Sequence, residues 1–157
     1  MFQITRRADY AVRIMLSLAA APATALTPAS ALVTATAVPK AFLYRITAQL
    51  AQAGLVRSSP GPSGGLALAR PPADINLLQV LEVIDGPLCL NVCQVRPHEC
   101  PRDRHCPAHG LWGRLQADLT QQLRQATLAS LLAEGQRLGP GPLVTVELPL
   151  EAPTSVD

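Results

Sequence analysis

Aromatic residues are scarce: two Phe, two Tyr and one Trp make up 3% of the 157 residues, so a core must be assembled from Leu, Val, Ile and Ala. Lysine is rarer still, Lys40 standing alone beside twelve arginines. Long apolar runs are missing. The nearest, Leu18 to Val38, is broken by Pro22 and Pro28 and by several Thr and Ser, which excludes a membrane-spanning helix there. The opening MFQITRRADY carries two arginines and an aspartate where a secretory signal needs its apolar segment. Cysteine is absent outside residues 89–106, whereas a secreted disulfide framework spreads its cysteines to close long loops. Wholesale disorder is excluded by 48% apolar residues and a mean hydropathy of +0.22. A soluble, cytoplasmic protein without a membrane partner is expected.

The net charge of +2 conceals an asymmetry. Residues 1–75 hold seven basic side chains against two acids, and residues 76–157 hold six arginines against nine acids. A basic front half suggests contact with a polyanion.

Apolar spacing predicts a first helix from Thr5, its N-cap, to Ala20, with Tyr10, Ala11, Ile14, Met15 and Leu18 along one side. Thr27-Pro28 predicts a second, shorter helix, with Thr27 as cap. Pro39 opens a third that ends at Gly54. In this third helix Phe42, Leu43, Ile46 and Leu50 cluster on one side, with Ala41, Tyr44, Ala48 and Gln52 opposite and Lys40 and Arg45 on the flanks. That outer face carries no acid, and its first two turns are the part of such a helix that reaches bases. Leu55–Ser58 and Leu66–Ala69, separated by a Pro- and Gly-rich turn, read as a β-hairpin. Three helices followed by a hairpin is the layout of a winged helix-turn-helix, whose third helix enters the major groove. The predicted fold class is mainly α with a small β-hairpin wing and a long C-terminal dimerisation helix.

Asn76 and Gln79 give a capping-box start to a helix ending at Asp85, before Gly86-Pro87. Residues 88–109, with their Pro, Arg, His and Cys, are predicted to form no regular element. Trp112, Leu115, Leu119, Leu123 and Ala126 then mark one apolar stripe on a polar helix. No partner for it is evident in the chain, so the same helix of a second subunit is the expected cover. Thr127 caps a short helix over 128–134, and a strand is expected at Leu143–Leu148 in the Pro-rich tail. The chain thus divides into a reader domain (1–75), a connecting helix (76–87), a cysteine segment (88–109), dimerisation helices (110–135) and a tail (136–157).

Thiolates are soft ligands for iron–sulfur clusters, Zn(II) or Cu(I). Cys89, Cys93, Cys100, Cys106 and His109 are spaced x3, x6, x5 and x2, and only the first gap suits a zinc knuckle. A cluster, a zinc ion and a redox-active thiol pair all remain open on spacing. Arg96, Arg102 and Arg104 between the cysteines would offset the negative charge of a thiolate-bound centre, and His98 and His105 read as solvated loop residues.

The ordered set ITRRADYAVRIML, GLVRS, GPSGGLALAR, NLLQVLEVIDG and CPAHGLW, spanning residues 1–135, resembles the bacterial winged-helix regulator family typified by the iron–sulfur regulator IscR and the nitric-oxide sensor NsrR. The resemblance implies a homodimeric regulator, usually a repressor, that reads a palindromic operator in double-stranded DNA. It also implies an iron–sulfur cluster, 2Fe-2S or 4Fe-4S, on Cys93, Cys100 and Cys106. The fourth ligand it implies is either Asp9 of the other subunit's first helix or His109. Cys89 is extra to the pattern and reads as a small buried or spare thiol. Relatives commonly carry an arginine where this chain has Pro60 and an aromatic where it has Leu66. Phosphate contact by the wing therefore falls to Arg57, Ser58 and Ser59, and base contact to Lys40, Ala41, Tyr44 and Arg45 of the third helix. Two alternatives stand beside this reading. One keeps the DNA-binding fold with a zinc or thiol–disulfide switch. The other is a redox or electron-transfer module, against which no C-x-x-C and no catalytic base are found.

Overall fold

The computed structural model describes residues 3–61, 63–96, 99–102 and 105–139. Helix α1 (Arg6–Ala20) begins where Thr5 accepts the Ala8 N–H at 3.1 Å. The Thr5 hydroxyl also donates to the Asp85 carboxylate at 2.8 Å, fastening the start of α1 to the end of α4 (Leu77–Asp85). Ala8, Ala11, Ile14, Met15 and Leu18 form the buried side of α1, at the centre of the single core.

Helix α2 (Ala29–Thr36) lacks the predicted Thr27 cap. Pro28 takes the cap position, while Thr27 exchanges backbone hydrogen bonds with Leu66 at 2.8 and 2.9 Å. Its carbonyl and N–H serve the wing instead of the helix. The α2–α3 turn passes through Ala37 at φ 55°, the only non-glycine residue at positive φ among those described. Helix α3 (Lys40–Gln52) buries Leu43, Ile46, Thr47 and Leu50, and Gly54 closes it at φ +70°. Thr47 is the unexpected member, its hydroxyl donating to the Leu43 carbonyl at 2.8 Å so that no polar group is orphaned.

Strands β1 (Val56–Ser59) and β2 (Gly65–Leu68) pair antiparallel, Val56 opposite Leu68 and Ser59 opposite Gly65. A 3-10 turn at Pro72–Asp74 leads to α4, which carries the full capping box: Asn76 accepts from Gln79 N–H at 3.0 Å and Gln79 accepts from Asn76 N–H at 3.1 Å.

The cysteine segment is more regular than predicted, with one helical turn, α5 (Val92–Val95), capped by Asn91. Helix α6 (His109–Gln125) follows, then α7 (Leu128–Leu138) behind its Thr127 cap. The apolar stripe of α6 is split. Leu123 packs on the chain's own core, whereas Leu115 is 42% exposed, with Leu111, outside the predicted stripe, 46% exposed one turn before it. A partner inside the chain therefore does exist for one end of the stripe. Helix α7 also folds back, packing on α1 with Leu128 fully buried. Leu77 N–H donates to Ala126 and Leu128 N–H to Ile75, at 2.8 and 2.9 Å, so the α6–α7 corner is stitched to the start of α4. The strand expected at Leu143–Leu148 lies outside the described residues.

Candidate nucleic-acid interface and cysteine segment

A cleft of about 870 Å³ opens between α2, α3 and the wing. Lys40, Tyr44, Ser58 and Ser59 all line it, together with Ser30 and Thr34 of α2, and among the described residues no Asp or Glu contributes to its wall. The reason is local. Burial of Leu43, Ile46, Thr47 and Leu50 fixes the rotation of α3, and residues 100° or more away must then face outward. Ala41, Tyr44, Arg45 and Ala48 are exposed accordingly, with the Lys40 ammonium 5.9 Å from the Tyr44 ring centroid. Ala41 and Ala48 leave room for close approach. The first turn of α2 has no side-chain cap, so its N–H groups are not claimed by a capping side chain. Ser30 and Thr34 were missed because sequence reading assigned the interface to the third helix and wing alone.

Arg45 lies on the flank of α3, stacked over Phe42 at 5.5 Å from the ring centroid. Arg57 points elsewhere. Its Nε donates to the Leu68 carbonyl at 3.2 Å and its guanidinium to the Ala23 carbonyl at 3.1 Å, so it ties the wing to the α1–α2 connection. Leu66 is a core residue, while Pro60 is exposed at the hairpin tip.

Gln116 of α6 clamps the start of the cysteine segment, accepting from Leu90 N–H and donating to the Leu88 carbonyl, both at 2.8 Å. Gln94 of α5 donates to the His109 carbonyl at 3.3 Å and to Cys93 Sγ at 3.7 Å. Gly113 makes that approach possible, since a Cβ there would meet Gln94 Oε1 at 3.2 Å. The Cys89 thiol donates to the Asn91 carbonyl at 3.0 Å. Cys89, Cys93, Cys100 and Cys106 are all free and half-buried. His109 opens α6 directly beyond Cys106, its N–H donating to the Cys106 carbonyl at 3.1 Å. Asp9 sits in the first turn of α1, about half exposed, ion-paired with Arg13 at 2.7 Å. Arg96 is paired with Glu99 at 3.0 Å, His105 is exposed, and His98 and Arg104 lie outside the described residues.

Among the described residues, no three His, Cys, Asp or Glu side chains come together as a metal-holding group. The expected convergence of the Cys93, Cys100 and Cys106 sulfurs is thus not met within one protomer. The donors suit a soft metal or a cluster by type, but their positions do not enclose one.

A family model described as Rrf2, an iron-dependent transcriptional regulator, matches residues 4–134. An HTH-type transcriptional regulator of Mycobacterium tuberculosis is 35% identical over 130 residues, 82% of this chain and 80% of the relative. The regulator IscR of Vibrio vulnificus is 27% identical over 134 residues, 85% of this chain and 79% of the relative. Among solved structures, the global cysteine regulator CymR of B. subtilis superposes with a TM-score of 0.74 at 25% identity, covering 85% of this chain and 98% of CymR. IscR of T. potens superposes with a TM-score of 0.71 at 22% identity, covering 90% and 93%. With a cleft bounded by helix and wing, and a family match over most of its length, this chain belongs to the Rrf2 family and is a DNA-binding transcriptional regulator, not an enzyme.

Proposed function

We propose that this protein is a cytoplasmic, homodimeric repressor in which each α3 enters the major groove at one half of a palindromic operator. The observation that carries this reading is the acid-free cleft that gathers Lys40, Tyr44, Ser58 and Ser59 on one face. Lys40 and the N–H groups of the first turn of α2 contact phosphate, Ser58 and Ser59 of the wing touch the flanking backbone, and Ala41, Tyr44 and Arg45 face the bases. Arg57 supports the wing through its hold on the Leu68 and Ala23 carbonyls, in place of the phosphate contact expected of it. The exposed Leu111 and Leu115 of α6 supply an apolar face for the partner subunit.

The cysteine segment is read as the sensing element, holding an iron–sulfur cluster through Cys93, Cys100 and Cys106, with Asp9 of the partner subunit or His109 as the fourth donor. A cluster bound there would supply redox- and nitric-oxide-sensitive iron. The family description and the soft donor set support it. The chain's own contribution is to hold the first half of the segment: Gln116 ties Leu88 and Leu90, and Gln94 ties α5, to α6 while the sulfurs stay half-buried. A second reading is a thiol switch on the same DNA-binding fold. It is favoured by four free cysteines without a three-donor cage, and by the likeness to a protein titled a cysteine regulator.

One experiment separates them. Anaerobically purified protein is assayed for iron, sulfide and zinc, then for duplex binding across a salt series before and after oxidation. Stoichiometric iron and sulfide, lost in Cys100→Ala, establish the cluster. Metal-free protein whose DNA affinity falls on disulfide formation establishes the thiol switch. A flat log–log salt dependence would overturn the DNA reading itself.

A further inference from the structure

Two of the five aromatic residues meet between α1 and α3. The Tyr10 and Phe42 rings lie 5.7 Å apart at 72°, an edge-to-face pair. Each ring also carries a guanidinium, Arg13 at 5.8 Å from the Tyr10 centroid and Arg45 at 5.5 Å from that of Phe42. Asp9 ends the row by pairing with Arg13 at 2.7 Å. The series Asp9–Arg13–Tyr10–Phe42–Arg45 therefore runs from the exposed side of α1 to the flank of the helix that faces the cleft.

The Arg45 end differs from the Arg13 end in one respect. Among the described residues no carboxylate pairs with Arg45, and no hydrogen bond is formed by its guanidinium. A ring face restrains a guanidinium by its plane and leaves the N–H edge unclaimed. That edge is the part that makes bidentate contacts with a guanine O6/N7 pair. An arginine on a bare helix surface would lose rotamer freedom on binding, whereas one already laid on a ring loses less.

We propose that Phe42, braced by Tyr10, is a positioning residue that presents Arg45 as a guanine reader in each half-site. Phe42 is half-buried and follows the core spacing of α3, so its sequence position assigns it to packing alone. Here it also sets the direction of the side chain three residues on. The inference rests on the major-groove placement of α3 given above.

The test is a double-mutant cycle on the full-length protein, with an operator selected by wild type from a randomised duplex pool and every single base-pair substitution of it. Phe42→Leu is expected to weaken operator binding about three- to fivefold, the scale of an exposed cation–π contact. It should also flatten discrimination at one G·C pair per half-site. In the Arg45→Ala background the same change should cost nothing. Phe42→Tyr, which keeps the ring, should restore wild-type affinity and discrimination, and thermal melting monitors folding throughout. If Phe42→Leu fails to fold, Tyr10→Leu and the exposed Arg45→Lys replace it, and each should lose discrimination at the same pair. Additive losses in the cycle would overturn the proposal, as would an Arg45→Ala loss that is uniform across sequences with the salt slope reduced by about one. A wild type that binds no duplex would sink the α3 reading as well, so the two failures are distinct.

Discussion

Gln116 holds Leu90: its side-chain oxygen accepts the Leu90 N–H at 2.8 Å while its amide nitrogen reaches the Leu88 carbonyl at the same distance. The glutamine acts as a surrogate strand, satisfying two backbone groups that have no regular element to serve them. Gln116→Leu leaves both unpaired in a half-buried site, at a cost of about 1 kcal/mol or more. Local opening of the segment should then rise about tenfold, and with it the alkylation rate of Cys89 and Cys93, read by mass spectrometry under reducing conditions. Gln116→Glu, which keeps the acceptor and loses the donor, should fall between. Unchanged alkylation would show that Gln116 does not restrain the segment.

Leu115 is expected to report on subunit pairing. It lies near the middle of the exposed part of α6, one turn from Leu111. Leu115→Glu places a charge on that face and should shift the sedimentation profile from dimer to monomer, with operator affinity falling about a hundredfold as bivalent engagement is lost. A dimer that survives Leu111→Glu together with Leu115→Glu would place the interface elsewhere.

Gly65 gives the wing a different vulnerability. A Cβ there would sit 2.6 Å from the Thr27 carbonyl oxygen and 2.8 Å from its carbon, both backbone atoms that cannot swing aside. Gly65→Ala should break the Thr27–Leu66 bridge, lower the melting midpoint by several degrees and weaken DNA binding without altering which operator is selected. The last point checks that the damage is to the wing and not to α3.

Ala37 offers the opposite outcome. At φ 55° it pays about 1–2 kcal/mol for a left-handed backbone, more than the 0.4–1 kcal/mol or so that glycine adds to the entropy of the unfolded chain. The side chain is exposed, so nothing is lost in packing. Ala37→Gly should therefore raise the melting midpoint by a few degrees, measured by circular dichroism.

The helices were legible because caps and apolar spacing agree. Thr5, the Asn76–Gln79 box and Thr127 each start a helix as predicted, and Leu43, Ile46 and Leu50 set the face of α3 that becomes core. Thr27 misled because a threonine before proline reads as a cap, while its backbone was wanted by β2, thirty-nine residues later. The α6 stripe misled for the same kind of reason: Leu123 finds its cover in a core that no local pattern announces. At the candidate interface Lys40, Tyr44, Ser58 and Ser59 do share one cleft, but the Arg57 tether to Ala23 depends on where a distant loop passes. The cysteine spacing gives the donor types; whether the sulfurs meet depends on three-dimensional placement, and among the described residues of one protomer no three donors do.

The stitch between the α6–α7 corner and the start of α4, through Leu77–Ala126 and Leu128–Ile75, has a mechanical consequence. With Leu128 sealed against the first helix, the long helix cannot swivel about a loose joint. It is a lever welded to the reading head. In the dimer proposed above, a tilt imposed on it at the partner's side would be passed through this joint to the reading head, as a change in the spacing and angle of the two third helices.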